Sequence, residues 1–156
     1  MMKYEPSKLV WTNIDFPELG WHDAKIWSFV AIPNSFEFAV DLDYIFQWIQ
    51  PKIDEINFKF WVSPVTIVFE NAFDISVDID SNQGEIYISD LLMEKRGMSA
   101  NGRLMLYSFR FECEEGSICL GATGFKMYVR QKPQLLERQS LLYEERGGIK
   151  FSRALE

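Results

Sequence analysis

The chain has 156 residues, of which 15% are aromatic, and a formal net charge of −7 at pH 7. This length fits one domain spanning residues 1–156, and the aromatic content favours strands over helices rich in alanine and leucine. The negative charge argues against nucleic acid as a partner. No apolar run approaches the roughly 20 residues that a membrane-spanning helix needs, and the first residues lack a signal-peptide pattern, so we expect a cytoplasmic protein.

Acidic and basic residues are separated along the chain. Residues 36–90 hold eleven carboxylates against Lys52 and Lys59, whereas residues 91–156 hold eleven Lys and Arg against eight Glu. The acidic stretch can attract a cationic partner, and the basic stretch keeps a local anion site open as an alternative.

Apolar residues recur at every second position over most of the chain, which is the period of a half-buried strand. The first predicted hairpin pairs residues 27–31 with residues 36–40 and places Phe29 opposite Phe38. Residues 43–56 are almost continuously apolar up to Pro51, and the pattern fits either a buried strand or a short helix.

The middle of the chain predicts a three-stranded meander made of residues 65–69, 73–79 and 86–88. A three-residue connection after Phe69 pairs it with Phe73, and a four-residue turn pairs Ile79 with Ile86. The outward face of this meander collects one group of polar side chains: Asp74, Asp78, Asp80, Glu85 and Tyr87.

Asp80 lies opposite Glu85 in this meander. Like charges directly opposite each other across strands destabilise a sheet by a few tenths of a kcal/mol to about 1 kcal/mol. Screening by water at a turn is one explanation for tolerating them, and selection for a basic protein partner is the other.

The third predicted hairpin pairs residues 107–113 with residues 118–124, with a β-bulge at Thr123 and Gly124. Its alternation places Cys113 and Cys119 on opposite faces, so we expect two free thiols. Because the chain has neither a Cys-x-x-Cys pair nor a second histidine, no zinc site is expected.

No cofactor or metal is expected elsewhere in the chain. Residues 78–84 only partly match the spacing of a calcium-binding loop. His22, the single histidine, lies beside Asp23 in a turn, and no motif supplies it with a nucleophile.

The C-terminal third forms a basic end that comprises Arg130, Lys132, Arg138, Arg146, Lys150 and Arg153. Arg130, Lys132 and Arg146 could hold a phosphate or carboxylate, which would suit a small hydrolase or an anion-binding protein. Alternatively, these cations neutralise the acidic middle of the same or a neighbouring molecule. Residues 141–146 predict one or two helical turns that stop at Gly147, and residues 149–151 predict an edge strand.

Several short segments along the chain form a distinctive set: Gly20-Trp21-His22-Asp23-Ala24, Phe60-Trp61-Val62-Ser63-Pro64, Phe69-Glu70-Asn71, Gly124-Phe125, Val129-Arg130 with Pro133, Gln139-Ser140-Leu141 and Glu144-Glu145-Arg146-Gly147-Gly148. With these segments the chain resembles a group of small, uncharacterised bacterial proteins. The resemblance implies no activity. In its small size and acidic, aromatic character the chain is also loosely similar to the immunity proteins of bacterial toxin systems.

Together, these patterns predict an all-β antiparallel sandwich or flattened barrel with seven to nine strands and at most one or two short helices. An α+β fold is the alternative if residues 43–56 or 141–146 form a packed helix. The leading hypothesis for function is a non-enzymatic domain that presents its acidic strand face to a basic protein, such as a toxin. The competing hypotheses are a small hydrolase or anion-binding protein whose site lies at the basic end and uses His22 or an acidic residue as base, and a subunit that forms homo-oligomers through unpaired strand edges.

Overall fold

The computed structural model describes residues 3–156, and within them the chain forms ten strands and two short 3-10 helices. The strands are β1 (Val10–Thr12), β2 (Lys25–Ile32), β3 (Glu37–Ile49), β4 (Lys59–Glu70), β5 (Phe73–Ile79), β6 (Ile86–Met98), β7 (Met105–Cys113), β8 (Gly116–Ala122), β9 (Gly124–Val129) and β10 (Gln134–Leu136). The 3-10 helices cover Asn13–Glu18 and Pro33–Ser35. Neither helix is long and apolar enough to cross a bilayer.

The strands form two layers, and every pairing is antiparallel. The first layer has the order β1-β9-β4-β3-β2, with β10 beside β4, and the second has the order β6-β7-β8-β5. A short pairing of β2 with β6 joins the layers, with Lys25 opposite Tyr87 and Ile26 opposite Ile86. The predicted all-β antiparallel sandwich is therefore confirmed, and the sheet does not close into a barrel.

Aromatic residues from both layers fill the space between them. Phe69 on β4 lies at the centre of this core, with its ring centroid 4.9 Å from that of Phe109 and 5.8 Å from those of Phe111 and Phe125. All four rings are buried. Burying one such side chain contributes about 1.5–3 kcal/mol, so the alternation of aromatic residues along β4, β7 and β9 holds the layers together.

The predicted meander of β4, β5 and β6 is wrong. β4 lies between β3 and β9, so Phe69 is opposite Phe38 and Phe125, while β5 pairs only with β8. The connection after β4 crosses from the first layer to the second, and its Asn71 has a left-handed φ of 52°. Similarly, Ile79 does not pair with Ile86, because β6 pairs with β7 and β2.

The other two predicted hairpins form, but each has a register that differs by two residues from the prediction. Phe29 lies opposite Val40, and Phe111 lies opposite Ile118. A shift of two residues by itself keeps side chains on their predicted faces, because the side-chain period of a strand is two. A bulge between Ile26 and Ser28 is the exception: it places Ile26 in the core and Trp27 on the outer face beside Asp43. Cys119 consequently lies opposite Arg110, and both cysteines are free thiols, as predicted.

Three irregular segments also differ from or refine the predictions. At the predicted bulge, β8 ends at Ala122 and β9 begins at Gly124, so the chain changes layer there. Residues 43–56 are strand as far as Ile49 and then form a loop. Residues 141–146 form turns without an α-helix, and residues 149–151 are not a strand.

The C-terminal segment after β10 covers the outer face of the first layer, and buried ion pairs fasten it there. Arg146 donates from Nε to Asp43 Oδ1 at 3.0 Å and from Nη1 to Asp41 Oδ2 at 2.9 Å. Arg130 Nη1 donates to Asp41 Oδ1 at 2.9 Å. All four side chains are at most 1% exposed, so these residues form a buried ion network.

Further donors surround the carboxylates of the buried ion network. Trp27 Nε1 donates to Asp43 at 2.8 Å, and the Trp27 ring centroid lies 4.7 Å from the guanidinium carbon of Arg146. Burial opposes the charge of Arg146, but the carboxylates of Asp41 and Asp43 raise its pKa above the ordinary value, so the guanidinium stays charged. Arg130 is less completely bonded, because its buried Nε and Nη2 atoms have no partner within residues 3–156.

Replacing Arg146 with Met should destabilise the protein strongly. The substitution leaves Asp41 and Asp43 buried without their main counter-charge, which typically costs about 3–5 kcal/mol. Arg138→Met is the matched control, because Arg138 pairs with Glu145 at the surface and such pairs contribute about 1 kcal/mol or less. The measurement is urea unfolding of both variants, and equal losses would contradict the central position given to Arg146.

Candidate functional site

The three basic residues of the predicted anion site do not converge on one surface. Arg130 and Arg146 are buried in the ion network with Asp41 and Asp43, whereas Lys132 is exposed. Lys132 lines a separate shallow groove beside Trp61. The two guanidinium groups are therefore already neutralised by carboxylates of the same chain.

His22 lies in an exposed turn, away from the buried arginines. Its Nδ1 is 3.3 Å from the carbonyl oxygen of Ser89, and its Nε2 is 3.5 Å from Asp23 Oδ2. The imidazole stacks on the ring of Trp48, with 6.2 Å between the ring centroids. These contacts place His22 at a surface between the two layers.

The five residues of the predicted acidic face are divided by the structure. Asp74 has a left-handed φ of 51° at an irregularity of β5, and its carboxylate lies 3.4 Å from Arg96. Asp80, Glu85 and Tyr87 instead line a shallow concavity of about 470 Å³ at one end of the second layer. Asp74 therefore does not belong to the same charged group.

Sequence reasoning missed several carboxylates that join this end of the second layer. Glu114 and Glu115 form the two-residue turn between β7 and β8 and line the same concavity. On the outer face of the second layer, one row of directly opposite residues crosses β5, β8, β7 and β6. It consists of Asp78, Ser117, Glu112 and Asp90. A correct pairing of β5 with β8 would have revealed this row, because the row depends on register alone.

We name this group of carboxylates the acidic surface. Its members are Asp78, Asp80, Glu85, Asp90, Glu112, Glu114 and Glu115. Within residues 3–156, only one Lys or Arg comes within 4.0 Å of any of them: Lys25 Nζ is 3.9 Å from Glu85 Oε1.

Carboxylates elsewhere on the surface are paired more often. Six of them lie within 4.0 Å of a Lys or Arg, namely Glu37, Glu55, Glu70, Asp74, Glu145 and Glu156. The acidic surface is therefore a region in which the fold concentrates negative charge without supplying the cations to balance it.

Tyr87 is held against the acidic surface by two of its glutamates. The Tyr87 hydroxyl donates to Glu85 Oε2 at 2.9 Å, and its backbone N–H donates to Glu115 Oε1 at 2.8 Å. Burial raises the pKa of Tyr87 to about 12, and the charges of Glu85, Glu115 and Glu114 add to this shift. The raised pKa is consistent with a negative potential around the ring.

The chemistry open to the acidic surface is attraction of positive charge. In residues 3–156, no three His, Cys, Asp or Glu side chains are grouped so that they could hold a metal ion. Comparisons with known protein families, with curated proteins and with solved structures found no match to this chain. The geometry of the acidic surface is therefore the basis on which a function can be inferred.

Replacing Glu112 with Lys should stabilise the protein. Glu112 lies directly opposite Asp90, and exchanging a like-charge pair for an opposite-charge pair is worth about 0.5–1 kcal/mol in a sheet. The measurement is the free energy of unfolding at low and high salt, and the gain should shrink as salt screens the charges. Glu144→Lys at an exposed position outside the acidic surface is the control, and a loss of stability in Glu112→Lys would refute repulsion across this row.

Proposed function

We propose that the protein is a non-enzymatic binding domain that presents the acidic surface to a basic protein partner. The observation that carries this proposal is the convergence of seven carboxylates from neighbouring strands and turns with a single lysine in contact. A sheet selected for stability alone would alternate charges of opposite sign along such a row.

The acidic surface would act first on the rate of association. A surface of one charge sign steers an oppositely charged protein during diffusion and can raise the association rate by one to three orders of magnitude at low salt. Once the partner is bound, its cations relieve the repulsion between residues such as Asp90 and Glu112. Binding should therefore also stabilise this end of the second layer.

Neutralisation of a bacterial toxin is the most concrete form of this function. A toxin whose cleft binds a polyanionic substrate needs a cationic cleft, and an acidic protein surface is complementary to it. Occupation of the cleft by the acidic surface would exclude the substrate. The general similarity of the chain to immunity proteins in size, charge and aromatic content agrees with this form.

A hydrolase centred on the basic end of the chain receives less support. Arg130 and Arg146 are engaged with Asp41 and Asp43, and His22 lies in an exposed turn. The three groups that such an enzyme would bring together are therefore in different environments, and we do not adopt this alternative.

Reversal of charge at three positions of the acidic surface should slow association with the partner. The variant Asp78→Lys, Asp80→Lys, Glu114→Lys removes the steering field, and the association rate at low salt should fall by about 10- to 100-fold. The control variant Glu5→Lys, Asp54→Lys, Glu144→Lys changes net charge equally at exposed positions outside the acidic surface. Rates are measured by stopped-flow fluorescence, using the intrinsic tryptophans.

The partner for this experiment is identified by comparing the proteins that bind the wild-type chain with those that bind the charge-reversed variant. Proteins from an extract of the source cells are captured at low ionic strength on the wild-type chain and on the charge-reversed variant, and those held only by the wild type are purified. If both triple variants slow association equally, net charge alone determines the rate and the acidic surface has no specific part.

A further inference from the structure

A second surface feature lies near the acidic surface: within residues 3–156, one edge of β3 has no neighbouring strand over about half its length. β2 begins at Lys25, opposite Asp43, whereas β3 continues to Ile49. Within the described part of the chain, residues 44–49 pair with β4 on one side only. A groove of about 480 Å³ runs along this open edge and is lined by the five consecutive residues 44–48.

The chain before β2 leaves this edge open because it pairs with β6 instead. Asp23 has a left-handed φ of 68°, and its N–H donates to the carbonyl oxygen of Ile88 at 2.8 Å. The N–H of Ile88 donates in turn to the carbonyl oxygen of Ala24 at 2.8 Å. The turn therefore directs the backbone away from β3, and residues 20–22 form the opposite wall of the groove.

The groove is aromatic and carries no basic residue apart from His22. Its walls include Trp21, Tyr44 and Phe46, with ring centroids 5.4 Å apart for the first pair and 4.7 Å apart for the second. Trp48 is 42% exposed, and Glu18 supplies a carboxylate at the rim. Aromatic faces beside a carboxylate suit the ammonium of Lys or the guanidinium of Arg.

Trp21 has an unused hydrogen-bond donor in this wall. The side chain is 3% exposed, and its Nε1–H has no acceptor within residues 3–156. Buried indole N–H groups usually find a partner. Trp21 therefore leaves a polar group unsatisfied beside the open edge of β3.

The groove lies close to the acidic surface. His22, which forms part of the groove wall, contacts the carbonyl oxygen of Ser89. Ser89 directly precedes Asp90, which belongs to the row of carboxylates with Glu112. One partner can therefore contact the groove and the acidic surface together.

We propose, building on the binding function above, that the basic partner inserts an extended segment into this groove. The main chain of the segment pairs with the open edge of β3 at residues 44–48 and so adds a strand to the first layer. A Lys or Arg side chain of the segment packs against the aromatic wall near Glu18. Main-chain pairing of this kind provides affinity, while the side-chain contacts provide specificity.

The test uses the full-length, ¹⁵N-labelled chain and a pool of acetylated, amidated heptapeptides in which Lys or Arg alternates with Val or Thr. The control pool carries Pro in place of Val and Thr, which keeps the charge but removes main-chain donors. In NMR spectra, the amide signals of residues 44–48 and the indole signals of Trp21 and Trp48 should shift when the pool containing Val and Thr is added. The apparent affinity should be at least tenfold higher than for the proline pool.

The substitution Gly20→Leu should fill the groove with a side chain without disturbing the fold. A Cβ at Gly20 would meet no atom within 4 Å, and Gly20 lines the groove, so a leucine there has space to occupy it. We expect Gly20→Leu to abolish the tenfold preference for the pairing peptides and Gly20→Ala to retain most of it.

The possible outcomes separate this inference from the proposed function. Equal affinity for both pools, with shifts confined to Asp78, Asp90 and their neighbours, would overturn strand addition and leave the acidic surface as the whole interface. Shifts at residues 44–48 that are unaffected by Asp78→Lys, Asp80→Lys, Glu114→Lys would support the groove and count against the proposed role of the acidic surface. An absence of shifts in both regions would count against both proposals.

Discussion

The buried ion network between β3 and the C-terminal segment is the constraint on which the rest of the structure depends. Asp41 and Asp43 point away from the aromatic core, toward a face that would otherwise be solvated, and Arg146 bridges both carboxylates. Backbone groups of Leu141 and Lys150 donate to the same carboxylates, so the segment is held at several points. Removing one partner from this network leaves an uncompensated charge in a low dielectric, so a single substitution within it carries a large cost.

The same network explains how charge separated along the sequence becomes charge separated in space. The basic end neutralises the nearby carboxylates of β3, where Arg146 binds Asp43 and Arg153 binds Glu37 at 2.7 Å. The hypothesis that these cations neutralise the acidic middle of the same molecule is thus correct for β3. It fails for the carboxylates of residues 78–90, which lie in the other layer and have Lys25 as their one Lys or Arg within 4.0 Å in the described part of the chain.

The sequence predicts which residues form strands better than it predicts which strands pair with each other. Alternation identified the hairpins of β2 with β3 and of β7 with β8, but a register shift of two residues leaves the pattern unchanged, so the exact pairing stayed undetermined. The connection after Glu70 has the length of a hairpin turn, so its length does not reveal that the chain changes layer there. The sequence pattern did not predict that Asp41 is buried, because the C-terminal segment that covers it is irregular and has neither the strand nor the helix periodicity.

One signal could have revealed the buried network from sequence. Asp41 and Asp43 alternate with Val40, Leu42 and Tyr44 inside a continuous apolar run, and charges in such a run require partners when both faces are covered. Several of the segments singled out in the sequence also meet around this region. Val129-Arg130 and Glu145-Arg146-Gly147-Gly148 supply the arginines, and Gln139 Nε2 donates to Asp23 at 2.9 Å.

The acidic surface and the groove beside β3 share a physical character, because each is a place where the fold leaves a local preference unsatisfied. Asp90 faces Glu112 across a strand pair, and β3 exposes an unpaired edge beside an exposed Trp48. Departures of this kind concentrate at functional sites, where a partner supplies the missing interaction. The rest of the molecule follows the ordinary rules of a sandwich, with an aromatic core between two antiparallel layers.

Carboxylate footprinting of the complex tests the central claim most directly. Exposed carboxylates are converted to amides with a carbodiimide and glycine ethyl ester, and the extent of labelling at each residue is compared by mass spectrometry with and without the purified partner. The account predicts strong protection of Asp78, Asp80, Asp90, Glu112 and Glu114 on binding, with unchanged labelling of Asp54, Glu137 and Glu144, which are equally exposed elsewhere. Protection of the second group with continued labelling of the first would contradict it.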